Sequence, residues 1–242
     1  MRMLTWIPAG CVALVVAGSA GLLAQGAPDE PRYRARRLAM VRDQIAAQGI
    51  SDTATLRAMR AVPRHEFVPA DLRDRAYGDH PLPIGHGQTI SQPYIVAYMT
   101  GIIRPRAGMK VLEVGTGSGY QAAVLAELGC QVYTVEIFAV LADSARTRLR
   151  ALGYDGVEVR HGDGHFGWAD AAPFDAIVVT AAAGYIPAAL IDQLRPGGRM
   201  VIPVGSVYGV QNLILVEKRS AGDVRTRNLL PVRFVPLVAG LR

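Results

Sequence analysis

The segment EVGTGSGY, residues 113–120, places Gly115, Gly117 and Gly119 between an apolar run and a helical pattern. Glycine at these positions lets the backbone turn tightly and approach a ligand, and the start of the following helix would present free N–H groups. A dinucleotide-binding loop has the pattern G-x-G-x-x-G, which fails here because position 120 is Tyr120. The spacing is G-x-G-x-G instead.

Two carboxylates follow later apolar runs of the same region. Glu136 ends QVYTVE, and Asp163 lies in HGDG at the end of the next run. A carboxylate in the place of Glu136 can accept hydrogen bonds from both hydroxyls of a ribose, and Asp163 could accept one from an adenine amino group. Taken singly, each acid is also explained as a solvated loop carboxylate. With the glycine loop, and in this order, they predict a site for an adenosine-containing cofactor.

A hydroxyl lies where a loop meets a helix upstream of the glycine loop. The segment GHGQTISQPYIVAYMT, residues 85–100, begins with loop residues and becomes helical at Pro93, so Ser91 stands at the helix start. Serine is a favoured N-cap, and a hydroxyl between loop and helix can also contact a substrate. The residues themselves leave both roles open.

The order of elements predicts how these side chains are positioned. From Lys110 onward, apolar strand patterns alternate with helical patterns, which predicts a doubly wound, mostly parallel α/β sheet with helices on both faces. Ligands bind such sheets at the C-terminal ends of the strands. The last segments, QNLILVEKRS and LLPVRFVPLV, have no helix between them, so an antiparallel pair is expected to close the sheet edge.

The chain is expected to have three parts. Residues 1–27 have the layout of a secretory signal peptide, in which Arg2 precedes a long apolar stretch that ends in small residues. The alternative is an uncleaved anchor, since about twenty apolar residues can span a bilayer. Residues 28–109 are expected to be an N-terminal helical and substrate-loop region, with helical patterns over 34–48 and 53–61. Residues 110–242 are expected to form the cofactor-binding α/β core with the C-terminal strands.

The composition excludes several other classes. With 50% hydrophobic and 19% charged residues, the chain is globular. The net charge is +6, but the densest basic run is RYRARR at 32–37, and no basic stripe carries interleaved aromatic residues, so no nucleic-acid partner is expected. One of the two cysteines is in the leader, which leaves Cys130 without an internal disulfide. The five histidines form no ligand motif, so no metal is expected.

The glycine loop and its two acids resemble those of the class I S-adenosylmethionine-dependent methyltransferases. Further segments, among them VPRHEFVP, GQTISQP, HGDG, PFDAIVVTAAA and VRFVPLV, resemble the protein-L-isoaspartate O-methyltransferase family from about Arg36 to Gly240. The resemblance implies the class I methyltransferase sheet and transfer of a methyl group from S-adenosyl-L-methionine to the free carboxylate of L-isoaspartyl residues. The ester then collapses to a succinimide, so the implied activity is repair of damaged proteins, by a monomer.

The resemblance also implies roles for particular residues. The residues implied to bind the cofactor are Glu113, Gly115, Thr116, Gly117, Gly119, Glu136, Asp163 and Gly164. Ser91 is implied to be the active-site hydroxyl. The residues implied to contact the substrate are Thr89, Ile90, Gln92, Val235, Pro236 and Leu237. Gly184 and Tyr185 lie near the expected rim, where they could shift substrate preference.

The leader predicts a periplasmic or secreted protein, whereas the cofactor is made in the cytoplasm. Either the cofactor reaches the protein outside, or the leader is an anchor that faces inward, or the chain has lost its activity. A cytoplasmic location, as is general for the family, is a further alternative. Two other functions remain: a methyltransferase of the same fold that acts on another carboxylate or small molecule, and a non-catalytic binder of damaged chains.

Overall fold

The computed structural model describes residues 31–206, 208–220 and 222–240, so the leader expected at residues 1–27 lies outside the described residues. Strands are numbered in chain order: β1 Leu82–Gly85, β2 Gln88–Ile90, β3 Lys110–Val114, β4 Gln131–Glu136, β5 Glu158–His161, β6 Phe174–Val179, β7 Leu194–Val204, β8 Gln211–Ser220 and β9 Asp223–Val232. The α-helices are α1 Pro31–Ala39, α2 Thr53–Ala61, α3 Pro93–Ile102, α4 Tyr120–Glu127, α5 Ala139–Ala151 and α6 Ala188–Gln193.

Seven of these strands form one sheet in the order β5-β4-β3-β6-β7-β8-β9. The pairs from β5 through to β7 are parallel, and β7–β8 and β8–β9 are antiparallel. Side chains of β3 alternate between two cores, with Val111 in one and Leu112 in the other, because the sheet is buried on both faces. The predicted α/β class with an antiparallel C-terminal edge is confirmed.

Chain order and sheet order together create the site. The chain leaves β3 toward β4 and β5 on one side and later returns to add β6 on the other side of β3. In open α/β sheets the loops that follow two such strands diverge, which opens a crevice at the carboxyl ends. The glycine loop after β3 and the segment after β6 flank this crevice.

Two segments differ from the sequence-based prediction. The helix predicted over 34–48 continues from α1 through a π-helical segment, Met40–Ile45, and a short 3-10 turn before Gly49 ends it at φ 95°. The substrate-loop region expected within residues 28–109 contains the β1–β2 hairpin, whose tip has three consecutive positive φ angles at residues 85–87. A positive φ is uncommon for a residue other than glycine, so the turn at His86 could not be predicted from the sequence.

The C-terminal strand is also displaced from its predicted position. β9 ends at Val232, so the segment RFVPL lies beyond it instead of inside it. This segment crosses to the loop after β6, where Ala182 pairs with Pro236 in a parallel bridge. Within the described residues, no helix is long and apolar enough to cross a membrane.

Candidate functional site

The glycine loop follows β3 and is closed by a threonine that follows β6. Gly115 has φ 97°, and a Cβ built there would lie 2.5 Å from the Thr180 hydroxyl, so only glycine fits. That hydroxyl donates to the carbonyl oxygens of Gly115, at 2.6 Å, and Val114, at 3.1 Å. Gly119 has φ 89° and begins α4 with its N–H on the Thr116 carbonyl oxygen. The loop is therefore held rigidly at the end of the strand.

Glu136, the last residue of β4, faces this loop. Its side chain accepts the N–H of Gly117 at 2.8 Å on one carboxylate oxygen and the N–H of Phe138 at 3.0 Å on the other. Each oxygen of an ionised carboxylate can accept more than one hydrogen bond, so both keep capacity for a ligand hydroxyl. The residue is 5% exposed, and its position is fixed by the two backbone groups that it binds.

Glu113 lies one residue before the end of β3 and is fully buried. The Thr134 hydroxyl donates to its Oε2 at 2.5 Å and is itself 2.7 Å from the Thr116 hydroxyl. Its other oxygen, Oε1, has no hydrogen-bond partner among the described residues. Burial raises the pKa of Glu113 to about 8, against the opposing hydrogen bond from Thr134 and with a further rise from the charge of Glu136. An unpaired buried oxygen is costly unless a ligand satisfies it.

Three cavities meet at this edge of the sheet. The Glu136 cavity is lined by Gly115, Gly117, Val135, Glu136, Phe138 and Gly164, together with parts of the C-terminal segment. The Glu113 cavity is lined by Ile90, Ser91, Glu113, Gly115, Thr116, Gly117, Ser118 and Gln121, among others. The Ser91 cavity has a volume of about 400 Å³ and is lined by Ser91, Gln92, Ile95, Val210 and residues 231–235, among others. Thr89 and Thr180 border all three cavities.

Ser91 lies on the walls of both the Glu113 cavity and the Ser91 cavity. The N-cap of α3 is Gln92, and no side chain of the cap residue closes the helix. The carboxylate of Asp79 does so instead, because it accepts the N–H of Tyr94 at 3.0 Å and the Gln92 amide at 2.8 Å. The capping alternative for Ser91 is therefore wrong. No hydrogen bond to another described residue occupies its hydroxyl.

The C-terminal segment forms the opposite wall. Its backbone is pinned at three points, where Phe234 donates to Gln211 Oε1 at 2.9 Å, Val235 accepts from Ala182 at 2.8 Å, and Leu237 donates to Ala182 at 2.7 Å. Val235 borders both the Ser91 cavity and the Glu136 cavity. Pro236 and Leu237, predicted to contact the substrate, line the Glu136 cavity, because the bridge to Ala182 carries the chain past the Ser91 cavity.

Asp163 and Gly164 both follow β5, but they border different cavities. Asp163 accepts the backbone N–H and Nδ1 of His165, both at 2.9 Å, and the N–H of Gly240 at 3.3 Å. Burial acts to raise its pKa, but these hydrogen bonds lower the pKa below the ordinary value. Asp163 borders a neighbouring groove with Tyr185, whereas Gly164 borders the Glu136 cavity. A Cβ on Gly164 would overlap the Val114 side chain.

The match to a family decides the classification of the chain. Residues 35–242 match the family model described as protein-L-isoaspartate(D-aspartate) O-methyltransferase. The chain belongs to this family.

Individual relatives of this isoaspartate methyltransferase family agree with the match. The chain is 57% identical over 226 residues to protein-L-isoaspartate O-methyltransferase 2 of Syntrophobacter fumaroxidans, covering 90% of this chain and 91% of that protein. A solved protein-L-isoaspartate O-methyltransferase is 28% identical with a TM-score of 0.75, covering 86% of this chain and 66% of that chain. A Plasmodium falciparum protein solved with S-adenosyl-L-homocysteine is 24% identical, with a TM-score of 0.73 over 84% of this chain and 98% of that chain. At that identity the likeness shows the fold alone.

Three residues on the cavity walls of this member of the isoaspartate methyltransferase family were not predicted from the sequence. Thr180 follows β6, and the strand-end rule that selected Gly115 and Glu136 could have found it. Phe138 and Arg233 carry no such signal, because a phenylalanine after a strand and an arginine in a C-terminal segment are ordinary surface residues. Among the residues that the structure describes, no group of three or more His, Cys, Asp or Glu side chains could hold a metal ion.

Proposed function

We propose that this chain transfers a methyl group from S-adenosyl-L-methionine to the free carboxylate of L-isoaspartyl residues in damaged proteins and peptides. The observation that carries the proposal is the position of Ser91, whose unengaged hydroxyl borders both the small cavity beside the buried Glu113 and the larger Ser91 cavity. A methyl donor on one side of this hydroxyl and a peptide carboxylate on the other would meet beside it.

The buried side of the site fits the chemistry of S-adenosyl-L-methionine. Glu136 has free acceptor capacity for ribose hydroxyls, and the unpartnered Oε1 of Glu113 fits the cationic amino group of the cofactor. Gly115 and Gly117 let the backbone approach closely, and Thr116 ties the loop to Glu113 through Thr134. Gly119 orients the first turn of α4. We assign Gly164 to the adenosine end, and Asp163 to the same end as the holder of its loop.

The larger Ser91 cavity fits a polypeptide. Thr89, Gln92 and Val235 line this cavity together with Ser91, and Ile90 borders the neighbouring Glu113 cavity. We assign these residues to substrate contact, and Pro236 and Leu237 to the boundary between substrate and cofactor. The cavity is lined by hydroxyl, amide and apolar groups and by one arginine, Arg233, which suits an extended backbone with varied side chains.

The chemistry requires little of the protein beyond alignment. S-adenosyl-L-methionine supplies, when bound, a methyl group on a positively charged sulfur. An isoaspartyl carboxylate is already ionised near neutral pH, so no residue of the chain has to remove a proton. Ser91 donates one hydrogen bond that orients the carboxylate, and the surrounding walls exclude water. A weak partner is suitable here, because a strong one would stabilise the charged carboxylate before the reaction. The backbone amide nitrogen of the substrate then attacks the ester carbonyl and expels methanol, which gives a succinimide whose hydrolysis returns part of the chain to normal aspartate.

The decisive experiment uses labelled S-adenosyl-L-methionine and two peptides that differ only in isoaspartate versus aspartate. Label in the isoaspartyl peptide alone is the expected result. Label in neither peptide, with cofactor binding verified by calorimetry, would exclude isoaspartyl methylation. If neither peptide is labelled but other carboxylates or small molecules added to the assay are, the protein is a methyltransferase of the same fold with a different substrate.

Replacing Ser91 with alanine is expected to lower kcat about tenfold to 100-fold while the Kd for S-adenosyl-L-methionine stays within about twofold, since the variant loses one orienting hydrogen bond. Ser144→Ala, an exposed serine on α5, is the control. Steady-state kinetics and calorimetry on both variants check this. Full turnover in the Ser91 variant would remove the residue from the reaction.

We further propose that residues 1–27 are a cleaved export signal, that residues 28–109 and 110–242 act as substrate-loop region and cofactor-binding core, and that the mature protein is a monomer in the periplasm. The charge and apolar pattern of the leader supports export. Mass spectrometry of the protein from a periplasmic extract is expected to find the N-terminus near residue 27. A chain that begins at Met1 and sediments with membranes would favour the anchor instead.

A further inference from the structure

A row of arginines runs along the open edge of the sheet toward the Ser91 cavity. Arg225 and Arg227 lie on β9, the last strand of the sheet, and Arg233 follows that strand. All three side chains are exposed, and none forms an ion pair with an acid in the described part of the chain. We call these three residues the arginine row.

Arg233 is where the arginine row reaches the cavity. It is the single charged residue among the described residues that line the Ser91 cavity, whose other lining groups are apolar, hydroxyl or amide. Its backbone position is fixed by two hydrogen bonds on its C-terminal side, one from the Phe234 N–H to Gln211 Oε1 and one from the Ala182 N–H to the Val235 carbonyl oxygen. The backbone that carries this cation is therefore held at the wall of the Ser91 cavity that also bears Val235.

The rest of the arginine row is not neutralised from the neighbouring strands. Glu217 on β8 is directly opposite both Arg225 on β9 and Arg199 on β7, so these three side chains share one face of the sheet. Arg199 already forms an ion pair with Glu217 at 2.6 Å. Burial and the like charges of Arg104 and Arg227 lower the pKa of Arg199. Several cations therefore lie around the acid Glu217. Arg199, Arg225 and Arg227 therefore outnumber the two acids that β7, β8 and β9 place on this face, Glu217 and Asp223, and leave it with net positive charge.

We propose that the arginine row makes the enzyme prefer isoaspartyl sites that lie in acidic stretches of polypeptide, with Arg233 as the specificity-determining contact. This inference rests on the proposed function and deepens it. An extended chain whose isoaspartate reaches Ser91 must leave the cavity over its walls, where Arg233 attracts a flanking carboxylate and repels a flanking lysine. The methyl-accepting carboxylate stays with Ser91, because pairing it with a guanidinium would stabilise its charge before the reaction.

The test compares three isoaspartyl peptides of one length, flanked on both sides by glutamates, by glutamines or by lysines. For the full chain at low salt, kcat/KM is expected to be about fivefold or more higher for the glutamate peptide than for the lysine peptide. The ratio is expected to shrink toward one in 0.5 M salt, since exposed charges are screened at about 3 to 5 Å there. Binding of the same peptides is followed by fluorescence anisotropy, which does not depend on methylation.

Three variants locate the preference. Arg233→Gln should flatten the ratio, Arg233→Glu should reverse it, and Arg227→Gln should reduce it by less. Arg150→Gln, an exposed arginine on α5 at the other end of the sheet, should keep the ratio of the unaltered chain. Cofactor affinity and thermal melting verify that each variant is folded.

The outcomes separate the two proposals. If the glutamine-flanked peptide is not methylated, the proposed function fails, and the charge preference is still read from the binding of the peptides. If that peptide is methylated but the glutamate and lysine peptides are equal, the arginine row has no role in selection. An unequal ratio that persists in Arg233→Gln would also overturn the assignment to Arg233.

Discussion

Replacing Glu136 with alanine is expected to weaken S-adenosyl-L-methionine binding by at least about 100-fold, because hydrogen bonds to a charged group contribute about 1.5 to 3 kcal/mol each and two ribose hydroxyls lose their acceptor. The same change frees the N–H groups of Gly117 and Phe138, which Glu136 now holds at 2.8 and 3.0 Å. The loop would then lose its fixed position as well. Calorimetric titration of the purified protein measures the change.

Two further variants make this result specific. Glu136→Gln keeps one acceptor oxygen, so its Kd is expected to lie between those of the unaltered chain and of the alanine variant. Glu158→Ala removes an exposed acid on β5 and should leave the Kd unchanged. An alanine variant of Glu136 that melts normally and binds the cofactor as before would show that this acid only braces the loop.

The cofactor side of the site could largely be predicted from sequence because it depends on local patterns. Glycines between a strand and a helix, and acids at strand ends, keep their meaning whatever packs around them. Gly115, Gly117 and Glu136 accordingly lie together on the Glu136 cavity. Asp163 shows the limit of this reasoning, since its carboxylate faces His165 and Gly240 and its side chain borders a neighbouring groove.

The substrate side depends on contacts between distant segments, which no local pattern encodes. Whether Ser91 caps α3 was undecided in the sequence because the competing cap, Asp79, comes from a separate loop. The end of β9 was misplaced because a run such as LLPVRFVPLV is equally apolar on both sides of Val232. The bridge from Ala182 to Pro236 decides where the strand stops and which cavity each residue lines. The Arg233 position follows from the same bridge.

Glu113 should make the stability of the cofactor-free protein depend on pH. Burial raises its pKa to about 8 in the folded chain, whereas an unfolded glutamate titrates near about 4.3. The folded state therefore binds more protons than the unfolded state between these values. The free energy of unfolding should then fall as pH rises from about 4.5 to about 8, by at most about 1.4 kcal/mol per pH unit from this group. Urea denaturation at several pH values measures the fall.

Glu113→Gln is the matched variant, because glutamine keeps the size and one acceptor oxygen but does not titrate. The difference in unfolding free energy between the two proteins is expected to shift in favour of the variant as pH rises through this window. Other titrating groups contribute equally to both proteins and cancel. A difference that stays constant from pH 5 to 8.5 would mean that Glu113 is ionised in the folded state throughout.

Cofactor binding should lower the pKa of the Glu113 carboxyl, whereas burial raises it. A cationic amino group beside the unpartnered Oε1 favours the ionised form, so binding near pH 6.5 should release a proton from Glu113. The Kd of the unaltered chain is then expected to improve toward pH 8 relative to Glu113→Gln, which also corrects for titration of the cofactor's own amino group. Calorimetry in two buffers of different ionisation enthalpy counts the proton. Equal proton release by both proteins would mean that the amino group binds elsewhere, and that Glu113 is neutral because its position in β3 requires a buried side chain.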